Sequence, residues 1–221
     1  MPTWLIILLC VFPGLPLTVF LALNVARFFR LANPSPMPYW MAPLIDNPVR
    51  RLFYPPRRML DQLGVEPGMR ALEVGPGYGT YSLAAARRLG ESGKLTAVDV
   101  QPEIIERFRR RVERGGVTNI EARTADVHAL PFADGSFDLV YLMMVLGEIP
   151  DPVGALREFR RVLKPDGRLA VMEWLPDPDY HPAGTLVKWG AEAGLEISGK
   201  KGGFVNYTLV FAPGDSDRQG A

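Results

Sequence analysis

Leu72-Glu73-Val74-Gly75-Pro76-Gly77-Tyr78-Gly79 is the stretch that decides the fold. A short apolar run leads into glycines that alternate with other residues, and a helical pattern follows from Gly79 to Leu89. That order makes a strand, a glycine turn and a helix, whose backbone can approach a ligand closely at the helix start. The dinucleotide fingerprint places its third glycine three positions after the second. Here Gly79 comes two positions after Gly77, and Thr80 stands where that third glycine would be. The loop suits a ligand but lacks the glycine spacing associated with pyrophosphate.

Outward from this loop, short apolar runs alternate with helical patterns from Met59 onward, with no internal repeat. This is the pattern of a parallel sheet covered by helices. The spacing predicts helices over 57–64, 79–89, 102–114, 151–163 and 182–193, and strands over 70–74, 94–98, 120–123, 137–142, 168–173, 195–200 and 206–212. Pro102 suits a first helical position, and the run over 137–142 is that of a strand buried on both faces. Lys164-Pro165-Asp166-Gly167 reads as a turn, and 214–221 as a disordered tail.

Asp99 ends the second strand, where a carboxylate can accept both hydroxyl hydrogens of a ribose diol. Asp126 follows the third strand, where a short acceptor can meet the amino group of an adenine. Taken singly, either aspartate also reads as a turn or cap residue. Together with the glycine loop they stand at the carboxyl ends of successive strands, the edge where open α/β sheets bind ligands.

Leu72–Gly79, AVDV (Ala97–Val100), ADVHALPFADGSFDLVYL (Ala125–Leu142) and LREFRRVLKPDGRLAVMEW (Leu156–Trp174) together resemble the class I S-adenosylmethionine-dependent methyltransferases. The likeness is greatest to the ubiquinone/menaquinone-type and related small-molecule or lipid subgroup, and it covers about 59–213. It implies an α/β, Rossmann-like sheet of seven strands with the last antiparallel, and S-adenosyl-L-methionine as cofactor. By the same resemblance, Glu73, Gly75, Gly77 and Gly79 frame the methionine part of the cofactor. Asp99 with Val100 serves the ribose and adenine face, Asp126 with Val127 the adenine edge, and Met143 the methionyl end.

The amino-terminal part reads differently. Met1 to Ala26 carries no charged side chain, and Trp4 to Leu23 is a mostly apolar window of 20 residues. That is the length of a membrane-spanning helix. Nothing basic precedes it, which disfavours a cleaved signal peptide. Pro13 and Pro16 disfavour a buried soluble helix more than a membrane one. Residues 1–26 are read as a membrane anchor, with a signal peptide or another buried element as alternatives. Arg27, Arg30, Arg50, Arg51, Arg57 and Arg58 follow, opposed before Leu60 only by Asp46. The excess places this side in the cytoplasm, giving a single-pass membrane protein with a cytoplasmic catalytic domain. Phe28, Phe29, Tyr39, Trp40, Phe53 and Tyr54 interleave with those arginines, as in a headgroup-level segment. An ordinary linker is the plainer reading. Residues 27–58 are expected to serve as a substrate lid, and Pro34, Pro36, Pro38, Pro43 and Pro48 argue against a long helix there.

The rest of the composition excludes more than it assigns. Twenty-five Lys and Arg against 24 Asp and Glu give a net charge of +1, so no global field argues for nucleic acid. Cys10, the single cysteine, and the two histidines His128 and His181 leave no zinc-spaced set, and no metal is expected.

Methyl transfer from a sulfonium asks little of acid or metal catalysis; it needs the nucleophile held in line, at about 3–3.5 Å. Glu148, in Val145-Leu-Gly-Glu-Ile-Pro150, is the candidate to orient or deprotonate an acceptor, or else it caps the next helix. Many members of the resembled family read His-Glu-Ile-Pro here, whereas this chain has Gly147 in the histidine's place. His181, with Tyr180 beside it, is a second candidate. The expected activity is methyl transfer to a small lipophilic or membrane-associated acceptor: a phospholipid amine, a quinol or a thiol. A membrane-tethered nicotinamide-dependent oxidoreductase and a non-catalytic cofactor-binding partner protein are the alternatives.

Overall fold

Side-chain alternation builds the sheet. In β1 (Arg70–Val74), Leu72 and Val74 enter one buried cluster and Ala71 the other, so the strand is covered on both faces. The computed structural model describes residues 27, 30, 33–41, 51–52, 54–175 and 177–214. After α1 (Pro56–Leu63) and β1 come α2 (Thr80–Leu89), β2 (Lys94–Asp99), α3 (Pro102–Gly115), β3 (Ile120–Thr124), β4 (Phe137–Met143) and α4 (Pro152–Val162). β5 (Leu163–Trp174), α5 (Ala183–Glu192), β6 (Leu195–Gly202) and β7 (Asn206–Pro213) complete the order.

The seven strands form one sheet in the order β3-β2-β1-β4-β5-β7-β6. β1 to β5 pair in parallel, and β7 lies antiparallel between β5 and β6. The chain builds outward from β1 to β3, then returns to add β4 on the other side of β1. That reversal opens a crevice at the carboxyl ends of β1 and β4, where ligands bind in such sheets. Leu156 and Phe159 of α4 and Leu186 of α5 cover one face. Leu60 and Leu63 of α1 with Ala85 and Leu89 of α2 cover the other.

Lys164 to Gly167 departs from the expected free-standing turn. Phe137 pairs with Leu163, and the next partners are Leu139 and Arg168, so the four-residue stretch bulges inside β5. Pro165 has no N–H for a ladder, while Lys164 Nζ is held by Asp138 Oδ1 at 2.5 Å, and the strand continues past the interruption. Gly214, assigned to the tail, is buried and donates its N–H to the Gly194 carbonyl at 2.9 Å. Residues 215–221 lie outside the described residues, as does the anchor read over 1–26. Among the described residues no helix is long and apolar enough to cross a membrane.

Candidate active site

The glycine loop turns the chain from β1 into α2 directly over the crevice. Gly77 has φ 53° and Gly79 φ 81°, both in the left-handed region. A Cβ on Gly79 would stand 2.5 Å from the Phe108 ring, whereas one on Gly77 would meet nothing within 4 Å. Gly79 is thus needed for packing as well as for the turn, and Gly77 keeps the backbone open toward the cavity. No acidic side chain occupies the first turn of α2 and no side chain caps it, so its leading N–H groups face the loop.

One cavity of about 670 Å³ gathers most of the expected site. Glu73, Gly75, Gly77, Gly79, Asp99, Val100, Asp126, Val127, Met143 and Glu148 all line it. Burial pushes Glu73 up to about 7, against the hydroxyls of Ser82 and Tyr141 beside it. Its Oε2 is buried and makes no hydrogen bond among the described residues. Asp99 Oδ1 accepts the Gln101 N–H at 2.9 Å, and burial raises this carboxyl to about 6. Asp126 Oδ1 takes the His128 N–H at 2.9 Å and faces the ring Nδ1 at 2.8 Å. Those two contacts hold Asp126 below the usual carboxylate range.

The far end of the cavity is largely apolar, with two acids, Glu148 and Asp177, in its lining. Met143, Met144, Ile149, Pro150 and Trp174 line it with Glu148. Met144 has φ 58°, the only non-glycine among the described residues with a positive φ, so the chain leaves β4 through a costly left-handed residue. Glu148 sits in a 3₁₀ turn, Leu146–Glu148, and its Oε2 accepts the Met37 N–H at 2.8 Å. Burial, with Asp179 and Asp177 adding to it, lifts Glu148 to about 8 although Met37 and Arg30 pull it down. The capping alternative fails: Asp151 caps α4, its Oδ1 accepting the Gly154 N–H at 2.9 Å.

His181 does not line the cavity. Its ring packs edge-on to Trp189 at 4.7 Å, and its carbonyl accepts the Tyr207 hydroxyl. Burial and the nearby Arg27 lower the imidazole from its ordinary value. Tyr180 is buried with its hydroxyl on the Phe204 carbonyl at 3.0 Å.

Several residues at the site carry no local signal in the sequence. Pro36 and Met37 line the cavity from the segment before the domain. The Met37 carbonyl accepts Gln101 Nε2 at 2.8 Å, tying the segment to the β2 side. On the other side Arg30 clasps Asp179, with Nη2 to Oδ2 at 2.6 Å and Nε to Oδ1 at 2.9 Å. Gly147 gains a reason here: a Cβ would lie 2.0 Å from the Asp179 carbonyl oxygen. The loop that Arg30 holds occupies the space that any larger residue at 147 would need. Among the described residues no group of three or more His, Cys, Asp or Glu could hold a metal ion.

Residues 72–171 match a family model described as a methyltransferase domain, and the fold and glycine loop are those of the class I S-adenosylmethionine-dependent methyltransferases that the chain resembles. Within that class the chain is similar to quinone-type enzymes. It is 34% identical over 150 residues to the ubiquinone/menaquinone biosynthesis C-methyltransferase UbiE of Haemophilus ducreyi, covering 67% of this chain and 56% of that one. It is 33% identical over 117 residues to the demethylmenaquinone methyltransferase of Staphylococcus aureus, covering 53% and 48%. The chain thus spans about half the length of these relatives. A crystal structure of a SAM-dependent methyltransferase from Aquifex aeolicus superposes with TM-score 0.75 at 24% identity, over 80% of this chain and 100% of that one, a likeness of fold. S-adenosylmethionine is the cofactor of this domain. The cavity fits it, since the orphaned Glu73 Oε2 suits an ammonium and Asp99 a diol.

Proposed function

We propose that this chain transfers the methyl group of S-adenosylmethionine to a small lipophilic acceptor of the quinol type, presented at a membrane surface. The observation that carries the reading is the cavity itself, with Glu73 and Asp99, acids suited to an ammonium and a diol, at one end, and the largely buried Glu148, with Asp177, among methionines and Trp174 at the other. Similarity to a demethylmenaquinone methyltransferase and to a ubiquinone/menaquinone biosynthesis C-methyltransferase favours a quinol over a phospholipid amine or a thiol.

Glu73, Gly75, Gly77 and Gly79 would hold the methionine part, Asp99 with Val100 the ribose and adenine face, and Asp126 with Val127 the adenine edge. Met143 would lie at the methionyl end. The cofactor supplies an electrophilic methyl on a sulfonium leaving group. The chain's own residues then align and desolvate the acceptor. Glu148 would take the phenolic proton, leaving a ring electron-rich enough to attack the methyl through carbon as its bond to sulfur breaks, and the hydrogen on that ring carbon would then leave as a proton to restore the aromatic quinol. The segment over 27–58 acts as the lid, and within it Met37 bonds both Glu148 and Gln101 across the mouth. Residues 1–26 anchor the chain, with the catalytic domain on the cytoplasmic side.

The test is transfer of isotopic methyl from the labelled cofactor to extracted membrane lipids and to a demethylated naphthoquinol, with calorimetry against S-adenosylhomocysteine and NADH. Label in the quinol ring and heat only with S-adenosylhomocysteine are expected. Label in a lipid amine alone would replace the acceptor, and heat only with NADH would overturn the reading.

A further inference from the structure

The sheet edge that carries the cavity mouth also exposes large apolar side chains on both sides of it. On the β2 side, the 3₁₀ turn Tyr39–Met41 presents Trp40, 59% exposed. The Tyr39 ring beside it lies under the Arg107 guanidinium, 4.8 Å from ring centre to Cζ. On the far side, the connection between β6 and β7 presents Phe204, 74% exposed, and Val205, 51% exposed. The Leu175 N–H fixes that connection through the Val205 carbonyl at 2.8 Å, at the carboxyl end of β5. Four strand spacings of about 4.8 Å separate β2 from β7, so roughly 19 Å lies between the two apolar points, and the mouth opens between them. Tyr78 and Val100 at the mouth itself are also exposed.

Two further facts say what covers this edge. Tyr180, whose hydroxyl holds Phe204, also accepts Arg27 Nη2 on its carbonyl at 2.6 Å. The apolar window Trp4–Leu23 ends four residues before Arg27, and four residues reach at most about 14 Å. Arg27, four positions after the window, is thus bonded at the corner that displays Phe204. Arg107 and Lys200, whose Nζ lies 5.7 Å from the Tyr207 ring centre, add positive charge at the same edge. Aromatic rings beside basic groups suit the headgroup layer of a bilayer.

We infer that this edge lies face-down on a lipid bilayer, with Trp40 on one side of the mouth and Phe204 with Val205 on the other, both at headgroup depth. The inference rests on reading residues 4–23 as bilayer-embedded. It adds which face of the domain meets the lipid and that the cavity opens into it. A lipophilic acceptor then enters the cavity from the bilayer without crossing water.

The experiment uses the full chain with mixed phosphatidylcholine and phosphatidylglycerol vesicles. In a Cys10→Ser background, Phe204→Cys, Trp40→Cys and Glu91→Cys are each labelled with an environment-sensitive fluorophore. Glu91 lies in the turn before β2, at the opposite edge. Flotation with the vesicles is expected, with strong quenching by shallow spin-labelled lipid at positions 204 and 40 and little at 91. Flotation with equal quenching at all three positions would overturn the docking face and leave the anchor standing; absence of flotation would overturn both. Shielding at 204 that rises with protein concentration and ignores spin-labelled lipid would assign the face to a second copy of the chain and also overturn it. Phe204→Ser with Val205→Ser should leave S-adenosylhomocysteine affinity unchanged and slow transfer to a bilayer-embedded acceptor several-fold. An undiminished rate from that double variant would also count against the face.

Discussion

Asp99 ends β2 with one oxygen already bonded to the Gln101 N–H, and burial holds its carboxyl near 6. At neutral pH it is ionised and can accept hydrogen bonds from a diol. Asp99→Ala should weaken S-adenosylhomocysteine binding by about 1.5–3 kcal/mol, the worth of hydrogen bonds to a charged group. Calorimetric affinity equal to that of the unaltered chain would remove Asp99 from the site. Glu148 has the opposite balance. Burial keeps it protonated up to about 8, so a base at this position gains its charge only as the pH rises through that value. The transfer rate is expected to climb with pH toward about 8, and Glu148→Gln should lower it about 100-fold or more while leaving cofactor affinity alone. A Gln variant that kept both the rate and the climb would exclude Glu148 as the base.

The segment over 33–41 crosses the mouth on a few bonds, and its hold is concentrated at Arg30. Its guanidinium pairs with the largely buried Asp179 carboxylate at 2.6 Å and stands 3.9 Å from Glu148. Asp179 is the main cause that raises the Arg30 pKa above its usual value, through a side-chain hydrogen bond. Arg30→Ala should loosen the crossing, and amide exchange at Met37, whose N–H is closed onto Glu148, should speed by an order of magnitude or more. Unchanged exchange there would mean the segment is held without Arg30. None of this pairing was legible beforehand, because Arg30 and Asp179 lie 149 positions apart and neither carries a local pattern. The β/α alternation, by contrast, was written in short-range periodicity, and every strand expected between 70 and 212 is present. The left-handed Met144 had no glycine to announce it. The nine residues carried over from the resembled family were found together because they stand at strand ends and turns, which sequence spacing locates well.

Over the whole molecule, buried carboxyls set a pH dependence of stability. Asp99, Glu73 and Glu148 are raised to about 6, 7 and 8, each chiefly by burial. The folded chain therefore keeps protons that the unfolded chain has released above the ordinary carboxyl range of about 4. Stability falls as the pH rises from there through about 8, since the unfolded state binds fewer protons. Thermal unfolding should occur at lower temperature at alkaline than at mildly acidic pH, and Glu148→Gln should flatten the upper part of that trend. A melting temperature independent of pH over this range would contradict it. The contact of Gly147 with the Asp179 carbonyl carries a consequence for redesign. Arg30 from the segment before the domain, Gly147 after β4 and Asp179 after β5 form one unit, so a histidine placed at 147 alone would collide with the loop before it could serve any chemistry. Putting any side chain at that position calls for exchanging residues 177–180 in the same step.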